Sequence, residues 1–570
     1  MSQTITVSNG GSTRATFVAA YSAVMLAQIT NALPGALNGI FAAEFRTSGA
    51  GLTWIAGMFM MGIVVFELSW GLLGDMFGRK KLLYAGTGLS VLGSVLAAMA
   101  STTGMMIAAQ AVGGLGAGIL FPISLSMLAA ITPDPRARAK AIATWAGFLS
   151  LGAVISPLLA GLTAQFFTVA GPAGAPNVFS GWRVAYYVAA AAAVVVLIVA
   201  LWARDSAVPA KRNLDLPGQA TLALGLIGIL FATVQAVDSG FGSAPVIASY
   251  VAGGILLAAF IAIEARTGEP LIHLSLFRNS AYSITGIVAV IGMFAFLAVC
   301  YSTSVAVGGL ALAEAWKVGV LFVFIQGPAF AFSPVVGWLI HHVAPRWALT
   351  AGFAFMAASA YWLSTFTLGA PESFGGTPWT AFIPPLLLLG IGFALTVGSI
   401  TAVAINSVEP QHIGMASATT NLLRDLGFAL GPVIGSAIAF GIGASVFAGP
   451  LAGILSGAGL PADAIAGLSN VPPLGYLSGW DGVIAQFSGQ ATAGGAPAQA
   501  VDGMIATLAS AQQQIQGAAG NSLGQGFQAV YLAAGIAATL SALLTLFISA
   551  RSSAPAPDAV EEATEANAAV

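Results

Sequence analysis

Long apolar stretches separated by short polar segments run through almost the whole chain. Fourteen stretches reach about twenty residues or more. They lie at about 16–41, 52–73, 82–101, 104–130, 141–168, 184–203, 216–236, 246–265, 281–308, 318–340, 347–366, 380–405, 415–445 and 524–550, and are called spans 1 to 14. A helix of that length and character crosses the hydrocarbon of a bilayer. Most connections are short, so sequence neighbours are expected to pack antiparallel. The pattern predicts an all-α polytopic membrane protein. Two segments break the rhythm. Phe447 to Leu523 is rich in Gly, Ala, Ser, Gln and Pro, with Asp463, Asp481 and Asp502 as its only charges. It reads as a long outer loop, either a tolerated insertion or a cap over the outer mouth. Stretches such as "ADAIAGL" and "VDGMIATLASAQQQIQGAA" are expected to form short helices within it. The tail after Arg551 is acidic and rich in Pro and Ala, and is expected to be disordered.

Lys and Arg positions refine the picture, because they accumulate in cytoplasmic loops. With the N-terminus inside, fourteen of the 18 Lys and Arg residues fall in cytoplasmic segments. Arg46, Arg183 and Lys317 fall outside, and Arg424 lies within span 13. The asymmetry persists to the last loop, as fourteen crossings with both ends cytoplasmic require. Met1 to Thr13 has no basic region or cleavage site ahead of the first apolar run, so span 1 reads as a retained helix.

Composition agrees. The 570 residues are 58% hydrophobic and 7% charged, with a mean hydropathy of +0.91. So few charges cannot cover a water-soluble fold. The single cysteine, Cys300, excludes an intrachain disulfide and a thiolate metal cluster. No nucleotide-binding glycine loop is present, and nothing suggests nucleic acid. His273, His341, His342 and His412 map to loops or their margins without a catalytic spacing, which disfavours a membrane enzyme. No cofactor or metal is expected.

Scarce charge concentrates in "VFELSWGLLGDMFGRKK", Val65 to Lys81. Glu67, Gly71, Gly74, Asp75 and Gly78 recur at helical spacing. Gly71 and Gly74 are expected to let another helix approach closely. "GLLGDMFGRKK" resembles the loop signature between spans 2 and 3 of the major facilitator superfamily, matched by Gly71, Asp75, Gly78, Arg79 and Lys80. The resemblance implies a conformational latch that closes the cytoplasmic side. "GAVISPLLAG" resembles the antiporter signature of span 5, with Gly152, Pro157 and Gly161 retained as a gating bend and Ser156 in place of a glycine. "GWRVAYY", "LDLPG", "EPLIHLSLFRN" and "GMASATTNLLRDLGFALG" resemble the fourteen-span, drug:proton antiporter-like subgroup. That resemblance implies six-helix bundles at residues 1–203 and 266–550 with an inserted hairpin at 204–265. It also implies a substrate site near the midplane between the bundles.

Two positions depart from the subgroup. Met25 stands where span 1 of such antiporters carries an aspartate, near Gln28, Thr30 and Asn31. Gln110 stands where span 4 carries an arginine. Glu67 is therefore the candidate acid for coupling or for a cationic substrate. It sits about 12 Å from Asp75 along the helix axis, at about 1.5 Å per residue. Arg424 and Asp425 are the other charges at membrane depth. As adjacent helical residues they are expected to have separate partners, Arg424 meeting Glu67 or an acidic substrate. Gln28, Asn31, Trp54, Phe59, Gln110, Tyr301, Gln326 and Asn421 are candidate cavity liners. The expected function is a secondary active exporter, working as a monomer in the cell membrane. Its substrates would be lipophilic or cationic small molecules, exchanged for protons. A transporter of a specific lipid or metabolite with different coupling is the alternative.

Overall fold

The computed structural model describes residues 6–7, 11–132, 134–172, 177–207, 215–268, 270–332, 335–336, 339, 342–369, 376–409, 413–493 and 497–548. Helices occupy each of the predicted stretches. Eleven of them are long and apolar enough to cross a membrane. Spans 2, 10 and 11 fall short of that mark. Span 2 is split into Gly49–Val64 and Glu67–Phe77, span 10 is Ala315–Ala331, and span 11 is the more polar Pro345–Leu363.

Polar residues at the edges of apolar runs start several helices. Ser48, Thr102, Asp134 and Asn279 each accept a hydrogen bond from a backbone N–H of the first helical turn, satisfying donors that have no partner inside the helix. The break in span 2 falls on Val65 and Phe66, within the run Ile63-Val64-Val65-Phe66 of β-branched and aromatic residues. These restrict χ1 against the preceding turn and weaken the helix.

Glycine faces set the helix separations. A Cβ on Gly93 of span 3 would sit 2.6 Å from the Gly113 nitrogen of span 4, so the two backbones touch. Spans 7 and 8 (Leu216–Ser239 and Ala244–Glu264) pack on each other, and span 7 also packs on spans 2 and 13. There Trp54 meets Phe231 with ring centroids 5.7 Å apart. Trp54 is thus turned toward the hairpin, away from the place expected for a cavity liner. At the N-terminus, Thr6–Val7 pairs antiparallel with Ser206–Ala207.

The expected outer loop is instead a folded extension. Span 13 runs as one helix from Ile413 to Gly457, and span 14 from Ala498 to Thr545. "VDGMIATLASAQQQIQGAA" is thus part of a 48-residue helix, while "ADAIAGL" forms the expected short one, Ala462–Ser469. With Pro473–Ser478 and Trp480–Ala493, these helices enclose their own core of Phe447, Leu451, Leu455, Tyr476, Phe487 and Ile515. Among the described residues, no large hydrophobic side chain is exposed between Ile442 and Leu532. Apolar side chains are outward on the helices either side of that interval. The extension therefore has the surface of a water-facing unit. Burial pushes the Tyr476 phenol up from its ordinary range, and its hydroxyl donates to the Leu468 carbonyl oxygen at 2.7 Å.

Candidate functional site

The molecule has two ends: the basic end, where Arg79–Lys81 and Arg204 lie, and the far end, where Arg46, Arg183 and Lys317 lie. Between them sits a group of three charges. The break in span 2 makes Glu67 the first residue of the Glu67–Phe77 helix, a position that favours an acid. Among the described residues, Arg424 and Asp425 are the charged groups whose fields reach Glu67, so span 2 and span 13 are brought together as expected. The pairing differs from expectation. Arg424 Nε donates to Asp425 Oδ1 at 2.8 Å, and a terminal nitrogen donates to Asn421 Oδ1 at 3.2 Å. The long guanidinium folds back along its own helix, so adjacent residues do pair here. Glu67 Oε2 is left buried without a hydrogen-bond partner, as are Ser69 Oγ and Trp70 Nε1 beside it and Thr419 Oγ1 on span 13.

At the basic end, the turn of the loop signature is built around Gly78, at φ 98° and ψ 128°. This is a conformation that L side chains rarely adopt. A Cβ there would also lie 3.1 Å from Asp205 Oδ2. Arg79 is buried and donates to the Ser126 carbonyl oxygen at 3.1 Å and to Ser206 Oγ at 3.4 Å. Lys80 Nζ donates to the carbonyl oxygens of Leu201 and Ala203, both at 2.8 Å. Its backbone N–H donates to Asp205 Oδ1 at 3.1 Å. These bonds lie within the first half of the chain and close the C-terminal end of span 6. The side chain of Asp75 lies outside the described residues. Gly74 packs on Ile123, but no described residue lies within 4 Å of a Cβ on Gly71. Among the described residues, the expected close helix approach is therefore seen at Gly74 and not at Gly71.

The span 5 residues divide. Gly152 packs under span 1, where a Cβ would lie 2.6 Å from the Met25 carbonyl oxygen and 3.1 Å from Gln28 Cβ. Ser156, the departure from the glycine pattern, donates to the Ile29 carbonyl oxygen at 2.6 Å. Pro157 and Gly161 face span 10 in the other half. A Cβ on Gly161 would lie 2.6 Å from the Ala315 carbonyl oxygen. The helix Pro135–Phe167 runs on through Pro157.

The far end is closed by contacts of which the sequence singled out only Tyr301, as a cavity liner. Asn38 Nδ2 donates to Ser304 Oγ at 3.0 Å, both buried. Gly39 packs directly on the backbone of Gly308, inside a π-helical turn, Ala306–Leu310, that ends span 9. Thr53 and Tyr301 hydroxyls lie 3.4 Å apart. Beside this seam is a cavity of about 640 Å³ lined by both halves, including Glu44, Arg46, Asn177, Glu314 and Val318. Lys317 bonds Glu314 at 2.8 Å and holds its carboxyl below the usual range. Arg46 and Leu312, both on this cavity, have positive φ of 49° and 54°. "GWRVAYY" is explained here: Trp182 Nε1 and Arg183 both donate to Glu44, at 2.7 and 3.0 Å.

Other expected liners are packed inside. Gln110 is buried and donates to the Tyr186 hydroxyl at 3.0 Å, spanning helices of one half instead of facing a central cavity. Phe59 is buried against Gly113 and Gly114. Gln28, Asn31, Gln326 and Asn421 are part-exposed. His341 and His412 lie outside the described residues.

A polytopic helical protein with membrane-depth charges shared between its two halves has the build of a solute carrier. The Major Facilitator Superfamily model matches residues 20–432, and the chain belongs to that family. It is 26% identical over 407 residues to the multidrug resistance protein Stp of Mycobacterium tuberculosis, covering 71% of this chain and 72% of Stp. It is 27% identical to a probable actinorhodin transporter of Streptomyces coelicolor (74% and 72% covered). It is also 27% identical to the cephamycin export protein CmcT of Amycolatopsis lactamdurans (71% and 79% covered). A solved proton-dependent oligopeptide transporter has the same fold, with a TM-score of 0.54 at 15% identity, covering 94% of this chain and 98% of that one. The protein is thus a multi-pass membrane protein of that superfamily.

Proposed function

We propose that this protein exports lipophilic or cationic small molecules in exchange for protons, by alternating access. One observation carries the coupling. Glu67, Arg424 and Asp425 interact electrostatically at membrane depth, and they comprise two acids and one base. In a low-dielectric site an uncompensated carboxylate is costly. The third member therefore takes either a proton or a cationic substrate, and mutual exclusion of the two is what antiport needs. The relatives named for multidrug resistance and antibiotic export support the substrate class. Asp75, Arg79 and Lys80 serve as the basic-end latch in this reading, with Gly152, Pro157 and Gly161 at the moving span 5 interface. Gln28 and Asn31 remain candidate substrate contacts.

The reading includes fourteen crossings, both termini in the cytoplasm, bundles at 1–203 and 266–550, the hairpin at 204–265 and a monomeric unit. The excess of Lys and Arg at the basic end supports that orientation. The test is purified protein in liposomes with an imposed pH gradient and a panel of cationic dyes. Glu67→Gln should abolish gradient-driven uptake while leaving dye binding measurable. Unchanged transport and pH dependence in Glu67→Gln would reject the coupling role.

A further inference from the structure

Two sequence motifs take no part in the site above: "LDLPG", which opens span 7, and "EPLIHLSLFRN", which follows span 8. The structure joins them through a pair of acids. Asp215 caps span 7, its Oδ1 accepting from the Gly218 N–H at 2.9 Å. Glu264, the last residue of span 8, is only 3% exposed. Its Oε2 accepts from the Ile272 N–H at 2.9 Å, which ties the hairpin to the linker leading into span 9. Each carboxyl group therefore has one oxygen satisfied by backbone. The other oxygens, Asp215 Oδ2 and Glu264 Oε1, are buried and have no partner. They converge: a Cβ on Gly218 would lie 2.8 Å from Glu264 Oε1 and closer still to Asp215 Oδ2. The carboxyl groups are within hydrogen-bonding reach of each other.

Two buried carboxylates cannot both stay ionised in contact. Something positive must lie between them. A metal ion is a poor candidate, since Ca²⁺ or Mg²⁺ takes about six or more oxygens and only two are free here. Among the described residues no group of three or more His, Cys, Asp or Glu is placed to hold a metal. A proton needs two oxygens. The other charged groups on the packed elements are these. Asp238 lies at the opposite end of span 7. Arg424 and Asp425 on span 13 bond each other, and Glu67 on span 2 sits in their field. The linker carries Arg266, His273 and Arg278. Lys211, Arg212 and Glu269 lie outside the described residues.

We infer that Asp215 and Glu264 share one proton across their two unpartnered oxygens, making a proton-binding site that fastens the span 7–8 hairpin to the linker before span 9. The folded protein then keeps, at mildly acidic pH, one proton that the unfolded chain releases near about pH 4. Stability is therefore greatest at lower pH and falls as pH rises through the release of that proton. Loss of the proton sets two negative charges face to face and loosens the Ile272 attachment.

The test uses the full chain in nanodiscs. Infrared difference spectra should contain one protonated-carboxyl C=O band, shifted in D₂O, that is missing in both Asp215→Asn and Glu264→Gln. Each amide can replace the shared proton by donating to the remaining carboxylate. Thermal stability of the wild type should therefore fall from about pH 5 to about pH 7 more steeply than that of either variant, and level off above. A spectrum without that band, or equal pH slopes in all three proteins, would overturn the proposal. So would stability that follows sodium or potassium at fixed pH. No step depends on transport, so failure here is distinguishable from failure of the exporter reading.

Discussion

The hydroxyl of Ser156 donates to the carbonyl oxygen of Ile29 across 2.6 Å, joining span 5 to span 1 at the position where the antiporter pattern has a glycine. Pro157, inside the same helix, leaves the Ala153 carbonyl without its usual donor, while the adjacent Ser156 engages a neighbouring helix. Ser156→Ala should cost about 1 kcal/mol, the net worth of a typical buried hydrogen bond. Thermal unfolding in detergent would register it as a lower midpoint. Ser156→Leu should do more damage, because Ser156 is fully buried.

The pair Arg424–Asp425 should be strongly non-additive. Removing only the cation, as in Arg424→Ala, leaves Asp425 buried without its partner, at a cost of about 3–5 kcal/mol. The double variant Arg424→Gln/Asp425→Asn removes both charges and should recover much of that loss. A double-mutant cycle on unfolding midpoints tests this, and additive effects would count against a direct pair.

At the far end, Gly39→Val should wedge the seam open, because any Cβ at position 39 meets the Gly308 backbone. Spin labels on Ala43→Cys and Ala313→Cys, in a Cys300→Ser background, report the distance across the cavity. Gly39→Val should shift the distance distribution to longer values, and dye export should fall.

In the turn between spans 2 and 3, Gly78→Ala forces a side chain into a positive-φ position. The expected cost is about 1–3 kcal/mol, read as a lower unfolding midpoint. Lys80→Met should be milder, at about 0.3–1 kcal/mol, the scale for a cation at a helix C-terminus.

The helical architecture was legible because bilayer length and Lys/Arg asymmetry each constrain it independently. Glu67 stood out for the same reason: an acid in an apolar run has few places to go. Its proximity to span 13 followed from the family pattern. Detail depending on side-chain reach was not legible. Spacing rules keep adjacent helical side chains apart, yet Arg424 has enough rotatable bonds to curl back onto Asp425. The neutral replacement Gln110 hid its real role, since only the fold reveals Tyr186 opposite it. Asn38, Ser304, Gly39 and Gly308 carry no charge and no periodic signal, so the far-end seam left no trace in composition. The folded extension was hidden by its Ala-, Gly- and Gln-rich sequence, which resembles a loop until the residues of its small core are seen to share one side.

Span 13 continues as one helix, through Pro432 and Pro450, from the Arg424–Asp425 pair to Gly457, a run of about 48 Å at about 1.5 Å per residue. A rod of that kind makes the extension a handle on the charge centre. An antibody fragment gripping Ala462–Ser469 would add mass and a rigid landmark outside the bilayer for image alignment. A tether drawn from the same place would transmit tilt directly to the ionised pair at the other end.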